Sequence, residues 1–178
     1  MLDLFATLVF GLVVAAFTVL IAASTQPNTF QTQRSARIDA PPERLFELIN
    51  NLKTMNTWNP FALRDPGAEI AYHGPASGKG AIHTFDGKKS GTGSIEIVEA
   101  AAPSKVAMRL VMSKPMKCDN AVDFTLQPDG LATSVTWAMN GRQPLIGKVM
   151  GLFVNMDKMI GKEFETGLKN LKAMAEKV

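Results

Sequence analysis

Six short runs of polar–apolar alternation, followed by one long run of period near 3.6, constrain this chain more than any other feature. The alternating runs are 69–73, 80–86, 93–99, 105–113, 120–127 and 132–140, separated by Gly, Pro or Asp-Gly punctuation. Short strands joined by short turns form an antiparallel meander. The alternation is cleanest where Val106, Met108, Leu110 and Met112 oppose Ala107, Arg109, Val111 and Ser113. Val122, Phe124 and Leu126, then Val135, Trp137 and Met139, continue the apolar side. Asp123, Thr125, Gln127, Ser134 and Thr136 continue the polar one. Arg109 is therefore expected in water. A sheet with one wet face needs a cover on the other.

The cover is expected at the C-terminus. Between 144 and 178 apolar residues recur as Leu145, Val149, Leu152, Phe153, Met156, Met159, Ile160, Phe164, Leu168, Leu171 and Met174. That stripe predicts one long amphipathic helix across the sheet. Upstream, residues 35–40 alternate and stop at Pro41 and Pro42, which predicts a first strand. Leu45, Phe46, Leu48, Ile49 and Leu52 then fall at helical spacing, with Pro42 in the first turn. A second short helix is expected over 54–58, stopped by Asn59 and Pro60.

The first two dozen residues differ in kind. Residues 4–23 carry no charge, and about 20 apolar residues at a 1.5 Å rise cross a hydrocarbon core of roughly 30 Å. This predicts a single-pass membrane anchor over 1–24. A cleaved secretory signal is the alternative, since Ala22, Ala23 and Ser24 are small, but no Lys or Arg precedes the run. Asp3 before the run, with Arg34 and Arg37 after it, gives a mixed charge bias for orientation. Residues 25–33 read as a polar tether to one domain over 34–178.

Composition narrows the functional class. Of 178 residues 46% are hydrophobic and 20% charged, which fits one packed domain plus an appendage. The net charge of +3 comes from Lys and Arg interleaved with Asp and Glu, which argues against a nucleic-acid surface. Cys118 is the only cysteine, so no intramolecular disulfide and no thiolate-rich zinc site can form. It has no basic or histidine neighbour in sequence to activate it. His73 and His83 lack the spacing of a metal pair, and no metal or other cofactor is expected. Gly78, Gly80, Gly87, Gly91 and Gly93 read as strand turns, because none opens a helix as a phosphate loop would.

Several segments carry a family resemblance: ARIDAPPERLFELINNL at 36–52, WNPF at 58–61, GTGSIEI at 91–97, VTWAMNG at 135–141 and MGLFVNMDKMIGKEFETGLKNLK at 150–172. In that order they resemble the START-like SRPBCC superfamily, in its bacterial polyketide-cyclase/dehydrase-like branch. The resemblance covers about 34–177. It implies an α+β helix-grip fold of the START and Bet v 1-like kind, a curved antiparallel sheet around a long C-terminal helix. It also implies a cavity between the two that holds a hydrophobic or lipid-like molecule, and a domain outside the cytoplasm. A cyclase or dehydratase acting in the same cavity is the alternative.

The apolar candidates for contact with such a ligand are Trp58, Phe61, Phe85, Met108, Leu110, Met112, Phe124, Trp137, Met139, Phe153, Met156 and Ile160. Each taken alone is better explained by core packing, and it is the abundance of methionine, which suits irregular guests, that speaks for a cavity. If the chain is an enzyme, His83, Tyr72 and Asp86 are the candidate acid–base groups. Asp157 and Lys158 interrupt the terminal stripe, as a ligand-orienting charge or as a solvated flank paired four residues on.

Overall fold

The computed structural model describes residues 2–177. Its elements are α1 (Leu2–Ser24), β1 (Thr29–Ile38), α2 (Pro42–Asn50), α3 (Leu52–Met55), α4 (Pro60–Leu63), β2 (Glu69–His73), β3 (Ile82–Gly87), β4 (Gly91–Ala101), β5 (Lys105–Lys114), β6 (Cys118–Asp129), β7 (Ala132–Arg142), α5 (Leu145–Phe153) and α6 (Met156–Ala175). Seven strands form one sheet in the order β1-β7-β6-β5-β4-β3-β2, so the first strand closes onto the last while the others meander. This is the expected helix-grip arrangement.

Two compact units divide the chain. One contains 31–141 and 157–178, and the other contains the chain up to Phe30 with 142–156. In the sheet unit, α2 starts at Pro42, where a missing N–H costs nothing. It buries Leu45 and Ile49 and packs against β5 and β6. The Asn51 carboxamide oxygen accepts from the Lys53 and Thr54 amides and so starts α3. Pro60 does not simply end a helix; with Asn59 accepting from the Phe61 amide, it opens the extra turn α4.

Helix α6 lies on the apolar face of the sheet. Phe164 stacks on Trp137 with centroids 4.3 Å apart, and Trp137 also meets Trp58 at 5.9 Å and Phe124 at 4.8 Å. The indole N–H of Trp58 donates to the Leu48 carbonyl, and its own carbonyl accepts from Asn170 of α6. Each such buried side chain contributes about 1.5–3 kcal/mol.

The structure also departs from the sequence expectation at both ends of the sheet unit. Strand β1 begins at Thr29, inside the expected tether. The single terminal helix is two, broken at Val154 and Asn155, and only α6 belongs to the sheet unit. In the other unit α5 packs against α1. There Ala23 is fully buried, and Lys148, itself buried, donates to Asn28 Oδ1 at 2.7 Å.

Asp157, one of the charges that interrupt the terminal stripe, has a partner on β1. Arg34 pairs with Asp157 at 3.0 Å and Glu165 at 2.9 Å. Its guanidinium occupies the notch over Gly161, where a Cβ would collide with it. Asp157 is thus held by another element rather than by a residue one turn on, and that hydrogen bond pulls its carboxyl below the usual range.

Candidate functional site

Strand register arranges the inner face of the sheet in cross-strand rows, because directly opposed residues project to the same side. One row runs Ile70, Phe85, Gly93, Met112, Cys118. The next runs Tyr72, His83, Ile95, Leu110, Asn120, Gly141. Below these come Ile97, Met108, Val122 and Met139, then Val106, Phe124 and Trp137, then Leu126 and Val135.

Burial changes along these rows. The lower three are sealed, with every member buried. In the upper two, Phe85, Ile95, Leu110, Met112 and Cys118 are only half-buried, although they face the side that α6 covers further down. Shape at the top of the sheet explains part of this. A Cβ on Gly93 would lie 2.9 Å from Phe85 Cζ, so the Phe85 ring lies flat over β4. The inner face therefore has a packed end and an open apolar end.

His83 is a buried titratable group of the open end, only 4% exposed. Its ring stacks on Tyr72 at 5.3 Å and leans on Phe85 at 5.5 Å. The Asn56 amide nitrogen lies 2.9 Å from Tyr72 Oη and 3.3 Å from His83 Nε2 and donates to both. Burial pushes the imidazole below its ordinary pKa, and acceptance of the Asn56 N–H at Nε2 goes with the tautomer that carries its proton on Nδ1. Burial likewise raises the Cys118 thiol, which leaves it a poor nucleophile.

Among the described residues, four buried side-chain polar atoms have no hydrogen-bond partner: Asn50 Oδ1, His83 Nδ1, Asn120 Oδ1 and Trp137 Nε1. Three of them are on the inner face, and two share one row. The Asn120 amide nitrogen is directed at Cys118 Sγ and Met139 Sδ, at 3.5 and 3.8 Å, which leaves its oxygen free to accept.

The expected site residues divide accordingly. Trp58, Met108, Phe124, Trp137 and Met139 lie in the packed end, while Phe85, Leu110 and Met112 lie in the open rows. Phe61 is 38% exposed beside Trp137, and Ile160 is half-buried on α6. Phe153 and Met156 fall in the other unit, and Phe153 is 73% exposed. Tyr72 and His83 meet, but Asp86 does not join them. It projects to the opposite face and accepts from Thr92 Oγ1 at 2.8 Å. Arg109 is exposed and paired with Asp119, as its parity requires.

An open groove of about 620 Å³ lies at β2–β5, lined mainly by outer-face residues such as Glu69, Thr84, Asp86, Thr92, Ser94 and Val111. Under α6 the sheet is filled by aromatic rings. No cluster of three His, Cys, Asp or Glu suited to a metal ion occurs among the described residues. Sequence reasoning missed Asn56 and Asn120; Asn120 was signalled as a polar residue at an apolar position of the alternation, and Asn56, in the turn after α3, had no such signal.

A family model described as polyketide cyclase / dehydrase and lipid transport matches residues 29–176. No match was found among curated proteins. Protein CV1439 from Chromobacterium violaceum is similar in structure, with a TM-score of 0.60 and 16% identity, over 86% of this chain and 100% of that one. The Aha1 dimer from Colwellia psychrerythraea matches at a TM-score of 0.59 and 14% identity, over 83% and 96%. Ginseng major latex-like protein 151 from Panax ginseng matches at 0.61 and 12%, over 85% and 100%. At these identities the likeness establishes the fold.

Proposed function

Because the chain belongs to the polyketide cyclase/dehydrase and lipid transport family, we propose that it is a membrane-anchored protein that binds a hydrophobic small molecule at the open end of its inner sheet face. The observation that carries this reading is the pair of half-covered apolar rows next to a sealed core. Apolar side chains left in contact with water gain when an apolar guest covers them, by about 25 cal/mol per Å².

Anchoring is supported by how α1 is built into the chain. A segment destined for removal has no need of a partner, yet α1 packs on α5 and its end is buried at Ala23. The span Leu4–Ser24 within α1 is apolar and largely exposed, as a helix in lipid requires. Helix α5 adds Ile146 and Phe153, both exposed, to the apolar surface of that unit.

Native mass spectrometry of the full chain, released from its own membranes in mild detergent, tests both parts. The expected result is an intact mass that includes residues 1–24, together with a co-purifying apolar molecule. A protein recovered repeatedly without a ligand overturns the binding reading, and a mature chain starting after residue 24 overturns the anchor.

A cyclase or dehydratase is the second reading, favoured by the contact of Asn56, Tyr72 and His83 on the inner face. Recovery of a different ligand from a His83→Phe variant than from the unchanged protein would select it.

A further inference from the structure

His83 Nδ1 and Asn120 Oδ1 are both buried, both without a partner, and both in one cross-strand row. Between them stand only Ile95 and Leu110, half-buried and apolar. The two atoms have opposite roles. Asn56 donates to His83 Nε2, which leaves Nδ1–H as a donor, whereas the Asn120 oxygen is an acceptor. Three strand steps of about 4.8 Å separate the two positions, or roughly 14 Å. No charged side chain belongs to either open row. A carboxylate or phosphate brought there would lose water without gaining a counter-ion from the sheet.

We infer that the open rows select an uncharged, elongated molecule with an apolar body and an oxygen at each end, one accepting from His83 Nδ1 and the other donating to Asn120 Oδ1. A fatty diol or a hydroxylated ring system of that length fits, and a fatty-acid anion does not. This rests on the binding reading above and narrows its ligand class. An unpaired buried polar atom costs more than a hydrogen bond yields, so a ligand that lacks either oxygen leaves that cost in the bound complex.

The test uses the full chain in detergent micelles with three probes: 1,10-decanediol, 1-decanol and decanoate. Bound fractions are read by native mass spectrometry for the unchanged protein, His83→Phe and Asn120→Leu. Comparing variants for the same probe cancels that probe's partition into detergent. One hydrogen bond corresponds to about a three- to tenfold change in affinity. Decanediol is expected to lose that factor in each variant, decanol in one variant only, and decanoate to bind weakest of the three. Decanediol affinity unchanged in both variants overturns the inference, as does decanoate binding more tightly than decanol, which would transfer recognition to a cation such as Lys53 beside Tyr72. Failure of all three probes to bind overturns the binding reading itself. Should a variant fail to fold, the unchanged protein labelled with nitrogen-15 carries the test. Decanediol must shift the His83 Nδ1 proton resonance, and an unmoved resonance under saturating probe overturns the inference.

Discussion

Gly167 shows how closely helix and sheet approach. A Cβ there would lie 2.5 Å from Trp137 Cζ3 and 3.0 Å from Pro60 Cδ, and Trp137 is already held by Phe164 and Trp58. Alanine in a helix gains up to about 1 kcal/mol over glycine, whereas overpacking a fixed core costs about 1–3 kcal/mol. Overpacking wins, so Gly167→Ala should lower the denaturation midpoint; a raised midpoint would show that Trp137 can give way. His83 makes a second prediction at this scale. Its folded pKa is depressed by burial, so the native ring stays neutral while the unfolded ring takes up a proton as pH falls below about 6.5. Stability should decline as pH drops from 7 toward 5, and His83→Phe should remove that decline. Thermal midpoints of the two proteins across this range are the check.

At the scale of elements, the two ends of the inner face should respond differently to substitution. Phe124 is fully buried among Trp58 and Trp137, and Phe124→Ala should cost about 3–5 kcal/mol. Leu110 is half-buried in an open row, so Leu110→Trp should leave the midpoint nearly unchanged while lowering probe affinity at least tenfold. Equal loss of stability in both would mean that the open rows are core. The strands were legible because a half-buried strand writes its own period into the sequence. The break before α6 was not, because the apolar stripe continues through Val154 and the helical period gives no warning. Asn155 ahead of the acidic Asp157 was the available signal, as a capping residue followed by a charge in the first turn. The row joining His83 to Asn120 was illegible for another reason. Its alignment depends on register shifts between Thr92 and Gly93 and between Ile97 and Glu99, and no single strand encodes those.

For the whole molecule, attachment to the membrane should depend on α1. Lysines at Leu12 and Val13, both exposed near its middle, each cost about 2.5–3.5 kcal/mol in a bilayer. The double variant should appear in the soluble fraction after carbonate extraction, with its intact mass unchanged, and retention in the pellet would assign attachment to another segment. The graded burial of the inner face has a consequence for how such proteins diversify. Substitutions in the sealed rows are felt by the entire fold, whereas those at the half-buried Phe85, Ile95, Leu110 and Met112 of the upper two rows touch side chains that were never fully packed. On the proposed binding, a lineage can therefore exchange Ile95, Leu110 or Met112 and acquire a different guest without first acquiring a more stable scaffold, and a directed library confined to those positions should retain a high proportion of folded members.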